Sequence, residues 1–194
     1  MISVEIEARQ LKELRIACGK AKKNFSKELA AAINAVGKKT RLNIGRDIRS
    51  VINVKKAVAE KEISIKAKAT AQTPTAVVSL GKSKRTGLQH FGARQDKRGV
   101  SYKISKQGGR KRVPSGFMGP SPGVLAPRLY GGAFKRLGST RLPIVKLYGV
   151  SPWGAYVKNK FEKPEVVTIA KGLSEQMERR IKLNVLRANG LVSR

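Results

Sequence analysis

Apolar residues in this chain recur at two spacings, and the change from one to the other divides it into parts. Ile2, Val4 and Ile6 alternate with polar neighbours, as the buried side of a short strand does. ARQLKELRIAC then takes helical spacing, and Gly19 closes it. From Ser26 a longer helix is expected, because Leu29, Ile33, Val36, Thr40, Ile44, Ile48 and Val51 fall three or four residues apart on one stripe. Ser26 is placed to cap it, and Glu28 to sit against the positive end of its dipole. Gly37 and Gly45 each cost about 1 kcal/mol relative to alanine inside a helix, which allows a bend. A further turn or two of helix is expected over 54–61.

The period then becomes two. In EISIKAKA, Ile63, Ile65, Ala67 and Ala69 fall on one side and Ser64, Lys66 and Lys68 on the other. TAVVSL resumes as a strand after Pro74. LQHFGARQ and GVSYKIS are two more strand candidates, joined by a D-K-R-G turn. Residues 106–123 are rich in glycine, proline and bases and are expected to form a long loop. RLYGGAFKR and RLPIVKLYG complete the strands. After SPWGAYVKNKF, Pro164 is a favourable first helical residue, and Val166, Ala170, Leu173, Met177, Ile181, Val185 and Ala188 form a second amphipathic stripe. The expected fold is α+β. It has a helical N-terminal part (1–61), a small, mostly antiparallel basic sheet region with long loops (62–161) and a C-terminal helix (162–194). The 194 residues are expected to form one domain.

Charge changes the picture most. Forty-two Lys and Arg against twelve Asp and Glu give a formal +30, a self-repulsion that a polyanionic partner would relieve. The excess is concentrated in residues 63–161, where 20 bases accompany one acid, Asp96. Lys82, Lys84 and Arg85 form one basic cluster, Lys97 and Arg98 a second, and Arg110, Lys111 and Arg112 a third. Clusters of this kind suit phosphate contacts, which position a protein on nucleic acid without reading its sequence. Phe91 and Tyr102 are the only aromatics near them, which is thin for base stacking.

Little else points to chemistry. AVVSLGKS (76–83) matches a permissive phosphate-loop pattern, but its cradle is β-branched, no helix start follows it, and the next acid is Asp96. His90 is the only histidine and Cys18 the only cysteine, too few for a Cys/His zinc cluster. No nucleophile-elbow pattern surrounds a serine. The expectation is a protein that is not an enzyme and takes no cofactor or metal. Cys18 is expected to be a packing residue. MISVEIEARQ has neither a basic n-region nor an apolar h-region, so no signal peptide is expected. No apolar run reaches the length of a membrane span, so no membrane partner is expected. Both features agree with a cytoplasm-like setting.

Three pieces in order carry a resemblance: the basic strand region, GGRKRVPSGF, and RLPIVKLYGVSPWGAY before a terminal helix. Gly109, Arg110, Lys111, Pro114, Gly116 and Phe117 match the first motif, with Ser115 an addition between proline and glycine. Arg141, Pro143, Ile144 and Val145 match the second. The chain resembles the minor tail protein Z family of long-tailed bacteriophages over nearly its whole length. The resemblance implies a structural tail-completion protein at the head-proximal end of the virion tail, assembled in the host cytoplasm and helping to join tail to head. It further implies a ring-forming homo-oligomer, a hexamer by expectation. Its neighbours would be the tail terminator, other neck proteins, the tape-measure protein and packaged double-stranded DNA. The alternative is a ribosomal-type or other sequence-independent nucleic-acid-binding structural protein, although no RRM or KH signature is present.

Overall fold

A computed structural model describes residues 2–7, 25–81, 85–120 and 131–188. The expected helix before Gly19, Cys18, Lys82 and Lys84 lie outside the described residues. The fold is α+β, with two long helices toward the ends of the sequence and three small sheets, each of three antiparallel strands. The chain divides into two compact units, each discontinuous in sequence. One comprises Met1–Ile44, Ile63–Gly81 and Lys160–Arg194, the other Gly45–Glu62 and Lys82–Asn159.

Helix α1, Phe25–Val51, supplies its residues 25–44 to the first unit and 45–51 to the second. Its stripe is the expected one. Leu29, Ile33, Val36, Thr40, Ile44 and Ile48 are all buried, and the helix continues unbroken through Gly37 and Gly45. Ser26 lies within the helix and is not the residue that precedes it.

In the first unit, α1 faces a sheet of order β1-β3-β2, with β1 at Ile2–Glu7, β2 at Ile63–Ala67 and β3 at Thr75–Leu80. Gly37 lies on the side of α1 that faces β3, where a Cβ would stand in ordinary contact with Val78 Cγ2 at 3.7 Å. The Asn34 side chain holds the chain beyond β2 by two bonds. Its amide donates to the Ala69 carbonyl, and its oxygen accepts from the Ala69 N–H, both at 2.8 Å. The C-terminal helix, α4 (Glu162–Ala188; α2, Lys56–Lys61, and α3, Pro152–Lys158, belong to the second unit), adds Ile169, Leu173 and Met177 to a core with Leu29, Ile33, Val36, Ala69 and Ala76. Arg180 Nη1 meets Glu28 Oε2 at 2.8 Å across the two helices.

The phase of α4 corrects the sequence reading. Its buried line runs Glu165, Ile169, Leu173 and Met177, whereas Val166 is 58% and Val167 70% exposed, and Ala170 is exposed too. The helix begins at Glu162, so Pro164 falls inside its first turn.

In the second unit, α2 (Lys56–Lys61) is the expected extra turn. LQHF is not a strand. Leu88–Phe91 is a 3-10 turn that buries Leu88 and Phe91 and ends at Gly92 with φ +61, a left-handed conformation open to glycine. Strands β4 (Arg94–Asp96), β5 (Gly99–Tyr102) and β6 (Lys111–Val113) form one sheet, and β7 (Gly116–Met118), β8 (Ala133–Arg136) and β9 (Ile144–Lys146) the other. Six residues of the expected loop at 106–123 are therefore strand, and 121–123 lie outside the described residues. Pro114 and Ser115 form the turn by which the chain leaves one sheet for the next, with Ser115 at φ +58. SPWGAYVK contains a helix that periodicity did not announce: α3, Pro152–Lys158, whose Ser151 Oγ accepts from the Gly154 N–H at 3.0 Å.

Candidate nucleic-acid interface

Strand register sorts the basic side chains of β4-β5-β6. Arg94 pairs with Ser101 and Ser101 with Arg112, so these three share a face, as do Asp96 and Gly99 two residues along. On the other face Gln95, Val100 and Val113 line up, with Val100 fully buried. The first face is thus the outer one, and it carries Arg94, Asp96 and Arg112. Lys97 and Arg98 form the two-residue turn at its end, and both are exposed.

Asp96, the one acid of residues 63–161, organises this face. Its Oδ1 accepts from the Arg98 N–H at 2.8 Å, closing the turn, and its Oδ2 meets Arg112 Nη2 at 3.0 Å. Arg110 is held as well, donating to the Gly92 carbonyl at 2.9 Å, the Ser101 carbonyl at 3.0 Å and Ser101 Oγ at 3.1 Å. A guanidinium has five N–H donors, so both arginines keep donors for a ligand while their planes are fixed.

The triplet at 110–112 is therefore split by strand alternation. Arg110 and Arg112 work on the outer face, and Lys111, opposite Tyr102, falls on the other. Arg85 is exposed in the segment before the 3-10 turn. The sheet also adds Arg94, which sequence reasoning passed over. Its signal was the alternation Arg94-x-Asp96, which matches Arg110-x-Arg112 only once the register is known.

Comparison with protein-family models, curated proteins and solved structures finds no match.

The landmark residues serve the scaffold. Gly116 is buried, and a Cβ there would press on the Val113 carbonyl oxygen at 3.1 Å and Val100 at 3.3 Å. Phe117 stacks on Phe134 with ring centroids 5.9 Å apart, and the Arg136 guanidinium lies 5.2 Å from the Phe117 centroid. Arg136 also donates to the Arg141 carbonyl at 2.7 Å, and the Leu137 N–H donates to the Pro143 carbonyl at 3.2 Å, which closes the β8–β9 connection. The Leu142–Pro143 peptide is cis. Gly109 and Pro114 are exposed, and nothing lies near a Cβ at Gly109.

Other candidate groups have other surroundings. Ser79, within the phosphate-loop-like run, is buried in β3 and bonded to Ser64 Oγ at 2.9 Å. Burial pushes the Asp47 carboxyl above its ordinary range. His90 is held below its ordinary value, first by partial burial and then by Lys146, Lys55 and Lys61. Among the described residues no three His, Cys, Asp or Glu side chains gather as a metal site would require, and no helix is long and apolar enough to cross a membrane.

Proposed function

We propose that this protein is a structural tail-completion component of a long-tailed bacteriophage, and that it holds duplex DNA by its phosphates through the outer face of β4-β5-β6. The observation that carries this reading is that face: Arg94, Lys97, Arg98, Arg110 and Arg112 stand there against Asp96 alone, with the acid engaged in fixing the turn and one of the arginines. A cluster of cations, two of them held in place by the sheet, suits a ligand gripped by its phosphate backbone.

Assembly with protein neighbours draws support from the second sheet. Leu137 and Leu142, each 67% exposed, flank the β8–β9 connection, and Val145 is exposed beside them. In the proposed setting they meet a second copy of the chain in a ring, or the terminator and tape-measure proteins at the head-proximal end.

Cryo-microscopy of particles made with and without this protein tests the assignment. Particles lacking it are expected to show unfinished tail tops without attached heads; unchanged tail tops and head joining would overturn it. Co-sedimentation with ribosomes at moderate salt would favour a ribosomal-type protein, which the same face would also serve.

A further inference from the structure

Outside the basic motifs of the sequence, two sets of hydrogen bonds set the segments that carry Lys55 and Lys146 beside the turn that holds the single histidine. Asn53 donates from its N–H to the Ile104 carbonyl at 2.7 Å and from its side-chain amide to the Lys103 carbonyl at 3.2 Å, and the Lys103 N–H donates to the Phe91 carbonyl at 3.1 Å. These bonds set the entry to α2, with Lys55, beside the 3-10 turn Leu88–Phe91. From the other side the Leu88 N–H donates to the Leu147 carbonyl at 2.9 Å, and the Gly149 N–H to the Thr86 carbonyl at 2.8 Å. Lys146 and Tyr148 are thereby set beside the same turn, with the Lys146 ammonium 5.9 Å from the Tyr148 centroid.

We infer that Lys55, Lys61 and Lys146 form, around His90, a second phosphate-binding site, which takes another backbone phosphate of the nucleic acid held by β4-β5-β6. This rests on the proposed nucleic-acid contact. Arg110 ties the two places together, since it bonds the carbonyl of Gly92, two residues beyond His90.

The electrostatics fit a site awaiting an anion. His90 is exposed, and all three lysines lower its proton affinity while no carboxylate raises it. Of the acids on and after α2, Glu60 faces Lys56 at 3.8 Å and Glu62 closes the helix; Lys103, Arg110 and Tyr148 are joined to the turn or its flanking residues, at Phe91, Gly92 and Gly87. A phosphate seated among the lysines reverses the balance at the imidazole. It favours the imidazolium, whose two N–H groups both donate. By linkage, the site binds more tightly as pH falls through the histidine range.

His90 is the only histidine in the chain, so its ring resonance in NMR reports the site without ambiguity. The full chain is titrated with pH alone, with inorganic phosphate, and with a short random-sequence DNA duplex whose binding is followed separately by fluorescence anisotropy. The duplex is expected to raise the His90 pKa by about half a pH unit or more, roughly a threefold tighter hold on the imidazolium. Lys55→Ala/Lys61→Ala/Lys146→Ala is expected to abolish that response and, by removing like charge, to raise the pKa of the free protein. Lys61→Ala alone, an exposed position at the end of α2, is expected to do both in part and guards against misfolding of the triple variant.

A matching rise with inorganic phosphate means that the site accepts any phosphate; a rise with duplex alone means that it needs the backbone. Duplex binding with an unmoved His90 titration overturns this inference and leaves the proposed function standing. A rise that survives the lysine substitutions also overturns it. No duplex binding overturns both, and a response to inorganic phosphate in that case would overturn the nucleic-acid source.

Discussion

Asp96 reaches Arg112 across an intervening strand. Its Oδ2 lies 3.0 Å from Arg112 Nη2, although β4 and β6 each pair with β5 and not with each other. The contact is possible because β5 presents only Gly99 and Ser101 on this face. The pair is solvent-exposed, at 44% for Arg112 and 37% for Asp96. It is therefore worth at most about 1 kcal/mol to stability, and its larger effect is on the charge of the face. Asp96→Asn is expected to cost less than about 1 kcal/mol in denaturant unfolding and to tighten duplex DNA binding at low salt by about threefold. Weaker binding in this variant would mean that DNA does not meet this face.

Gly99 makes that geometry possible. Its φ is +121, and a Cβ there would collide with the Val113 carbonyl oxygen. Gly99→Ala is expected to destabilise the protein by about 1–3 kcal/mol from backbone strain alone, read as a lower unfolding midpoint. A midpoint equal to that of the wild type would contradict the β5–β6 register.

Asn34 is the corresponding device in the first unit. Its amide satisfies both backbone groups of Ala69 in a partly buried setting. Asn34→Ala is expected to cost about 1–3 kcal/mol. Asn34→Asp is expected to cost at least as much near neutral pH, because a carboxylate cannot donate to the Ala69 carbonyl. Equal stability of all three proteins would remove the clamp from the account.

The phase of α4 is open to a direct check. Leu173→Ala or Met177→Ala is expected to cost about 2–5 kcal/mol, whereas Val166→Lys and Val167→Lys should stay within about 0.5 kcal/mol of wild type. A large loss at Val166 would restore the stripe that periodicity suggested.

That stripe shows where the sequence stops being legible. The α1 stripe was readable because Leu29, Ile33, Val36, Ile44 and Ile48 recur at helical spacing, with Thr40 filling the same line, while the opposite side carries Lys38, Lys39 and Arg46. At the start of α4, Val166 and Val167 are apolar and outward while Glu165 is inward, so hydrophobicity alone set the stripe one residue late. The segment 106–118 hid its strands for a different reason. β6 and β7 have three residues each, and they pair with β5 and β8, partners that no local pattern names. Three of the strand residues are exposed or half-exposed bases and a valine, without the clear alternation of a buried strand. The charge excess of the central region was legible from composition. Which of its bases share a face was not, because Arg94, Ser101 and Arg112 come together only through register.

Duplex DNA affinity as a function of salt, for the wild type and for Arg94→Ala/Lys97→Ala/Arg98→Ala, tests phosphate contact by the β4-β5-β6 face most directly. These three side chains are exposed, whereas Arg110 and Arg112 also bond the sheet. With the circular dichroism spectrum unchanged, the log–log salt slope is expected to fall by up to about 2.7, at roughly 0.9 per phosphate contact. An unchanged affinity and slope in a folded variant would contradict it.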